Sequence, residues 1–306
     1  MYRCLPPTGH FTYCENKEDV TQRVKLDLAD EEITKVEKLK SKIESIDNWQ
    51  KVFTFEGERK LVYATEALTP KPKANRGKIN LLLLLGNPAI HSVIDGMFFS
   101  YEGKKGGGKK EHRFWEGLRC CGLCKEPKLP LEKFIDDKYI AAIHDRKLKL
   151  LNGHYEGNHE FNLFLMTYFS FPTPPSKKRD GSIDYSGVAG IKKIFRESCM
   201  SEILEEMRVF EFCRFMHVVS SNKIADVICF QKEAWGEVIK MVKPENVTCI
   251  QRPINNDLKG RVRRINLDSV STNPTIYLAK PTRDMRSKES KELLEAILCD
   301  IKAGVN

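Results

Sequence analysis

The chain has 306 residues, 41% hydrophobic and 30% charged. That is enough for one large or two small domains with a sizeable core, and too apolar for a disordered chain. A formal charge of +9 and a pI near 8.9 favour a polyanionic partner. The opening Met-Tyr-Arg-Cys-Leu-Pro-Pro lacks the apolar core of a secretion signal, and no apolar run reaches the ~18 residues of a membrane span. These features predict a cytoplasmic (intracellular) protein with no membrane partner; a monomer is expected.

In chain order, residues 1–20 read as polar and irregular. A helix is predicted from Ala29 onward, because Ile33, Val36, Leu39, Ile43 and Ile46 share one face and early carboxylates precede later lysines. Val52 to Tyr63 alternates like a strand or hairpin, and Thr69-Pro-Lys-Pro-Lys-Ala-Asn-Arg-Gly77 reads as a linker. Residues 1–78 are therefore expected to form an N-terminal extension, helix plus hairpin, packed on a main domain of 79–306.

The main domain opens on its most informative stretch. Ile79-Asn80-Leu81-Leu82-Leu83-Leu84-Leu85 suits a strand buried on both faces, as in a parallel sheet. Pro88 cannot extend the ladder, so the chain leaves the sheet there, at the strand's carboxyl end. In open α/β sheets that edge is where ligands bind. Asn87 is thus a polar, uncharged side chain on a rigid rim, unless it marks an ordinary turn. After Phe99 comes a glycine-rich cationic loop, Lys104 to Lys110, either solvated or phosphate-contacting.

Residues 161–171 form a second apolar strand ending at Pro172-Thr173-Pro174-Pro175, followed by the basic Ser176-Lys177-Lys178-Arg179-Asp180-Gly181. A helix is predicted over 197–219, a third strand over 224–230, a helix over 232–242, a last strand over 275–279 and a closing helix over 288–301. Strands alternating with helices predict an α/β fold, a three-layer αβα sandwich around a short, mainly parallel central sheet. Among the ten cysteines, Cys213, Cys229 and Cys249 lie in apolar runs and read as small core residues. Cys120-Cys121-Gly-Leu-Cys124 has ligand-like spacing, but a metal or iron–sulfur site would need Cys4 or Cys14 to complete it. No cofactor and no metal are otherwise expected.

The order of motifs over residues 79–300 resembles the uracil-DNA glycosylase superfamily, closest to its mismatch-specific, thymine-DNA glycosylase-like branch. Leu85-Gly86-Asn87-Pro88-Ala89 is similar to that branch's G-I-N-P-G. Gly96-Met97-Phe98-Phe99-Ser100 resembles a G-x-x-F-S segment. Cys213 to Trp235 resembles the shared helix–strand–helix unit, and Lys280-Pro281-Thr282-Arg283-Asp284-Met285-Arg286 has the place and length of M-P-S-S-S-A-R.

The resemblance implies a uracil-DNA glycosylase-like fold and a DNA glycosylase of base excision repair, acting on a flipped base in DNA without a metal. It implies catalytic roles for Asn87, which would hold the attacking water, and Lys280, a donor to the departing base. It implies base contacts from Gly86, Pro88 and Ala89, stacking by Phe99, and a base-edge hydrogen bond from Thr167 or, second, Asn162. DNA contacts would come from His91, Ser92, Lys177, Lys178, Arg179, Thr282, Arg283, Met285 and Arg286, with Met285 and Arg286 filling the vacated stack. Two departures matter. Ala89 stands where uracil-specific members have a bulky Tyr, which opens the pocket to 5-substituted bases. Lys280 stands where the family often has His, Asn or Met. Because Asn87 is no general base, the alternative is a catalytically weak or inactive nucleic-acid-binding member of the same fold; a third class, an enzyme of free nucleotides, would act without DNA.

Overall fold

The structure, a computed structural model, describes residues 3–4, 6–71, 77–103, 109–124, 137–153, 160–174, 185–241, 247–253, 261–267 and 274–304. The chain begins with strands β1 (Arg3–Cys4), β2 (Phe11–Glu15) and β3 (Thr21–Asp27), helix α1 (Ile33–Glu44), and strands β4 (Phe53–Phe55) and β5 (Lys60–Leu68). Strand β6 (Ile79–Leu85), helix α2 (Ile90–Asp95), short strands β7 (Glu102–Gly103) and β8 (Lys109–Lys110), and helices α3 (Arg113–Cys120) and α4 (Asp137–Leu151) follow. The remainder is β9 (Phe161–Thr167), α5 (Gly187–Glu197), α6 (Ser201–Ser221), β10 (Asp226–Cys229), α7 (Lys232–Met241), β11 (Val247–Pro253), β12 (Arg261–Leu267), β13 (Thr275–Leu278) and α8 (Lys288–Gly304). The fold is mixed α/β, with a mixed sheet and helices.

The chain divides into two compact units. The first comprises Met1–Ala67, Gly86–Phe98 and Thr167–Met216. Its strands run antiparallel in the order β1-β2-β3-β5, with β4 also on β5. Residues 1–20, expected to be irregular, contain β1 and β2; their apolar positions are too few for a periodic signal, and pairing with β3 decides them. In β3, Gln22, Val24 and Leu26 are buried while Arg23 and Asp27 are exposed, the period-2 pattern of a strand with one wet face. Helix α1 buries Val36, Leu39 and Ile43 as its spacing requires. The helix expected over 197–219 is α6, which starts at Ser201, since Glu197 is the last residue of α5. Cys199 takes a left-handed φ of 60°, its N–H reaching the Arg196 carbonyl and the Met200 N–H the Phe195 carbonyl, a Schellman stop that ends α5 before α6 begins.

The first unit's core holds a charged pair. Arg214 Nε donates to Glu211 Oε2 at 2.9 Å, and both side chains are fully buried. Arg214 Nη2 also donates to the Thr167 and Tyr168 carbonyls, while the Ser170 N–H and hydroxyl donate to Glu211 Oε1 at 2.5 and 2.6 Å. Burial raises the Glu211 carboxyl, and the Arg214 charge and the Ser170 bonds oppose that rise. A pair so enclosed is sustained by the donors and acceptors around it.

The second unit comprises Leu68–Leu85, Phe99–Met166 and His217–Asn306. Its strand order is β9-β6-β10-β13-β12-β11. Strands β6, β10 and β13 are parallel, with Leu81 to Leu84 opposite Asp226 to Cys229 and these opposite Thr275 to Leu278. Leu81 to Leu85 are all buried, which a central parallel strand demands. The sheet is less parallel than expected: β12 and β11 add antiparallel strands beyond β13. Their sequences, Arg-Val-Arg-Arg-Ile-Asn-Leu and Val-Thr-Cys-Ile-Gln-Arg-Pro, carry no apolar run to announce a strand. Helix α8 buries Leu294, Ile297, Leu298 and Ile301, one stripe at helical spacing. No helix among the described residues is long and apolar enough to cross a membrane.

Candidate functional site

In the first unit, the segment after β6 is laced to residues 169–173. The Phe169 N–H donates to the Gly86 carbonyl at 2.9 Å, the Thr173 N–H to the Pro88 carbonyl at 3.1 Å, and the Ile90 N–H to the Thr173 carbonyl at 3.0 Å. Ala89 bridges Thr173 in parallel fashion. Within this frame the half-buried Asn87 uses Nδ2 twice, toward Thr173 Oγ1 at 2.7 Å and toward the Pro88 carbonyl at 3.2 Å. A flipped amide would set its oxygen against the Pro88 carbonyl, so the electrostatics fix the orientation. Both amide hydrogens are then engaged, and Oδ1 has no protein donor among the described residues. Thr173 Oγ1 also accepts from the Gly187 N–H at 2.9 Å, tying the start of α5 to the same hydroxyl.

The other first-unit candidates separate. Gly86 and Ala89 are half-buried and Pro88 is buried. His91 is half-buried in the first turn of α2, whereas Ser92 is 2% exposed and faces the core. Thr167 is likewise buried, its hydroxyl donating to the Glu66 carbonyl at 3.3 Å. It is engaged by the protein's own backbone instead of being presented to a base. Glu66 itself is a buried carboxyl with Oε1 unbonded. Desolvation first, and the Asp95 charge second, push it well above the usual carboxylate range.

In the second unit, Phe99 adopts a left-handed φ of 49°, costly for a bulky residue and a mark of a position the surroundings over-determine. The Trp115 indole Nε1–H holds its carbonyl at 3.2 Å. Its half-buried ring stacks on His112, centroids 4.3 Å apart at 29°, and meets Phe114 at 4.6 Å and 39°. His112 caps α3, Nδ1 accepting from the Phe114 N–H at 3.1 Å. Arg113 grips Glu102 through Nε at 2.5 Å and Nη2 at 3.1 Å, and its Nη1 donates to the Arg283 carbonyl at 2.6 Å. Helix α3 therefore carries both the Phe99 platform and the turn after β13.

That turn forms an open concavity of about 380 Å³ lined by Lys280, Arg283, Asp284, Arg286, Ser287 and Glu289. Lys280 and Arg283 are exposed, and Arg286 pairs with Glu116 of α3. Thr282 opens a short 3-10 turn, half-buried. Met285 does not protrude: it is 2% exposed and packs on Gly117, where an added Cβ would collide with its Cε. Asn162 is fully buried near the amino end of β9, donating to Asn80 Oδ1 at 3.0 Å. Asn80, half-buried near the amino end of β6, donates in turn to the Asn222 backbone carbonyl, so Asn162 is engaged in a polar contact at the strand starts. Lys177, Lys178 and Arg179 lie outside the described residues.

No family model matches this chain, and no curated protein does either.

The cysteines divide by environment. Cys14, opposite Cys4 in the β1–β2 register, is disulfide-bonded and offers no thiolate. Cys120 is exposed, Cys121 half-buried and Cys124 buried. Burial pushes the Cys121 thiol up to about 12. Among the described residues no three His, Cys, Asp or Glu side chains gather to hold a metal. Cys213, expected in the core, is exposed, while Cys229 is buried with its thiol pushed up to about 12; the side chain of Cys249 lies outside the described residues. The residues that sequence reading missed are Thr173, Glu102, His112 and Arg113. Thr173 sits between prolines like any turn residue, and His112 precedes Phe114-Trp115 as a capping residue would, a signal of structure and not of chemistry.

Proposed function

We propose that this protein is a DNA glycosylase that hydrolyses the N-glycosidic bond of uracil, or a related deaminated or mismatched base, after base flipping. The three-layer arrangement of the uracil-DNA glycosylase superfamily is the fold this reading implies. The observation that carries it is Asn87: an amide whose two hydrogens are engaged by Thr173 and Pro88 offers one oriented acceptor, Oδ1, the requirement for holding a water. The water oxygen bonds to the anomeric carbon as the C–N bond breaks, the base leaves with the electron pair, and a water proton is released. Because an amide accepts no proton, Asn87 orients the nucleophile and the catalytic effect rests on position more than on basicity.

Phe99 supplies the stacking ring, and its left-handed backbone supports a role beyond packing. Lys280 and Arg283, exposed cations on one concavity, suit contact with phosphates or with the departing anion, and base extrusion requires such contacts to offset unstacking. The partner is DNA. A second reading, a binding protein of the same fold with little or no activity, is favoured by one observation: Thr167 and Asn162 are both buried and bonded within the protein, so neither reads a base edge as placed.

An alkaline-cleavage assay on oligonucleotides bearing uracil, hypoxanthine, xanthine or a G·T mismatch decides between them. The glycosylase reading expects an abasic product from at least one, lost in Asn87→Ala. Salt-sensitive binding with no abasic product from any substrate would establish the binding-only reading.

A further inference from the structure

His112 was singled out by neither charge nor spacing, yet it makes three connections in one place. Its ring lies on the Phe99 ring at 4.3 Å and 29°, a stacked geometry in which each ring restricts the plane of the other. Its Nδ1 accepts the Phe114 N–H, so the ring is bolted to the first turn of α3 and cannot rotate without leaving a helix N–H without its acceptor. In the neutral ring this places the proton on Nε2, 3.8 Å from Glu102 Oε1. Glu102 is in turn gripped by Arg113 through both guanidinium edge nitrogens and the backbone N–H. Arg113 reaches the Arg283 carbonyl. A strained Phe99 backbone with its carbonyl held by Trp115 completes the mounting.

We propose that His112 is a positioning residue for base stacking: it sets the plane of the Phe99 ring on which a flipped nucleobase packs, and ties that plane through Arg113 to the 280–286 turn. The inference rests on the glycosylase reading. It differs from ordinary helix capping because the cap needs only an acceptor atom, while the stack needs a flat ring. Two substitutions separate these. His112→Asn keeps a good capping acceptor and removes the ring. His112→Phe keeps the ring and removes the acceptor.

The test uses the full-length protein and two readouts: single-turnover release of uracil from an oligonucleotide, and quenching of 2-aminopurine fluorescence in an oligonucleotide carrying that base. A loose stacking platform misplaces the reacting atoms, so His112→Asn is expected to lose about 10-fold in the rate constant with little change in oligonucleotide affinity, and to lose quenching. His112→Phe is expected to recover most of both despite a lower melting temperature. Wild-type behaviour in His112→Asn, or equal loss in His112→Phe, overturns the positioning role while leaving the excision reading standing. Absence of both uracil release and quenching in the wild-type protein overturns the reading and this inference with it.

Discussion

Asn87 Nδ2 lies 2.7 Å from Thr173 Oγ1, and the same hydroxyl oxygen accepts the Gly187 N–H. One threonine thus orients the amide and caps a helix approach. Thr173→Val should leave a backbone N–H and an amide hydrogen unsatisfied, costing about 1–3 kcal/mol in urea unfolding. Where the wild-type protein excises a base, Asn87→Ala should reduce the rate on the order of 100-fold, the scale of a lost positioning contact. Thr173→Val should reduce it less, since the amide remains but is no longer held. A Thr173→Val protein with an unchanged unfolding midpoint would contradict this arrangement.

Glu66 gives stability a pH dependence of defined sign. Desolvation, then the charge of Asp95, raises its carboxyl in the folded state, so the folded protein binds its proton more tightly than the unfolded chain, whose glutamates titrate near about 4.3. Its contribution is complete below that value and is lost as pH rises through the folded-state value. Glu66→Gln should therefore melt higher than wild type at pH 8, with the gap closing toward pH 4. Parallel melting curves across that range would refute the assignment.

The Glu211–Arg214 pair makes the opposite kind of prediction. Arg214→Met leaves a fully buried carboxyl without its cation and should cost about 3–5 kcal/mol at neutral pH, measured by chemical denaturation. Adding Glu211→Gln to that variant should recover much of the loss. Additive losses in the double variant would mean that the two side chains are not coupled.

The exposed cations of the turn after β13 predict a salt signature. Lys280→Ala and Arg283→Ala should each weaken oligonucleotide binding without regard to sequence. Each should also lower the slope of log affinity against log salt by about 1 if it meets a phosphate. Arg286→Ala should act less strongly, because Arg286 is already paired with Glu116. Fluorescence anisotropy at several salt concentrations reads the slopes, and unchanged slopes would remove this surface from the proposed DNA contact.

Much of the scaffold was legible from residue order. Five consecutive leucines marked a strand buried on both faces, Pro88 marked its exit, and the spacing of Val36, Leu39 and Ile43 marked a helix face. Each is a local signal: periodicity and backbone chemistry act over a few residues. Strands β1, β2, β11 and β12 were not legible, because their positions depend on partners distant in sequence and their own composition carries no apolar run.

The candidate site divides along the same line. The sequence alone determined that a rigid strand delivers Asn87 to its carboxyl end and that a cationic turn follows the last strand. Only tertiary structure decided that Thr173 orients the amide, that His112 lies on Phe99, and that Thr167, Asn162 and Met285 face inward. Side-chain identity limits which bonds a residue can make; which of them it does make depends on neighbours brought together by folding, often more than eighty positions away.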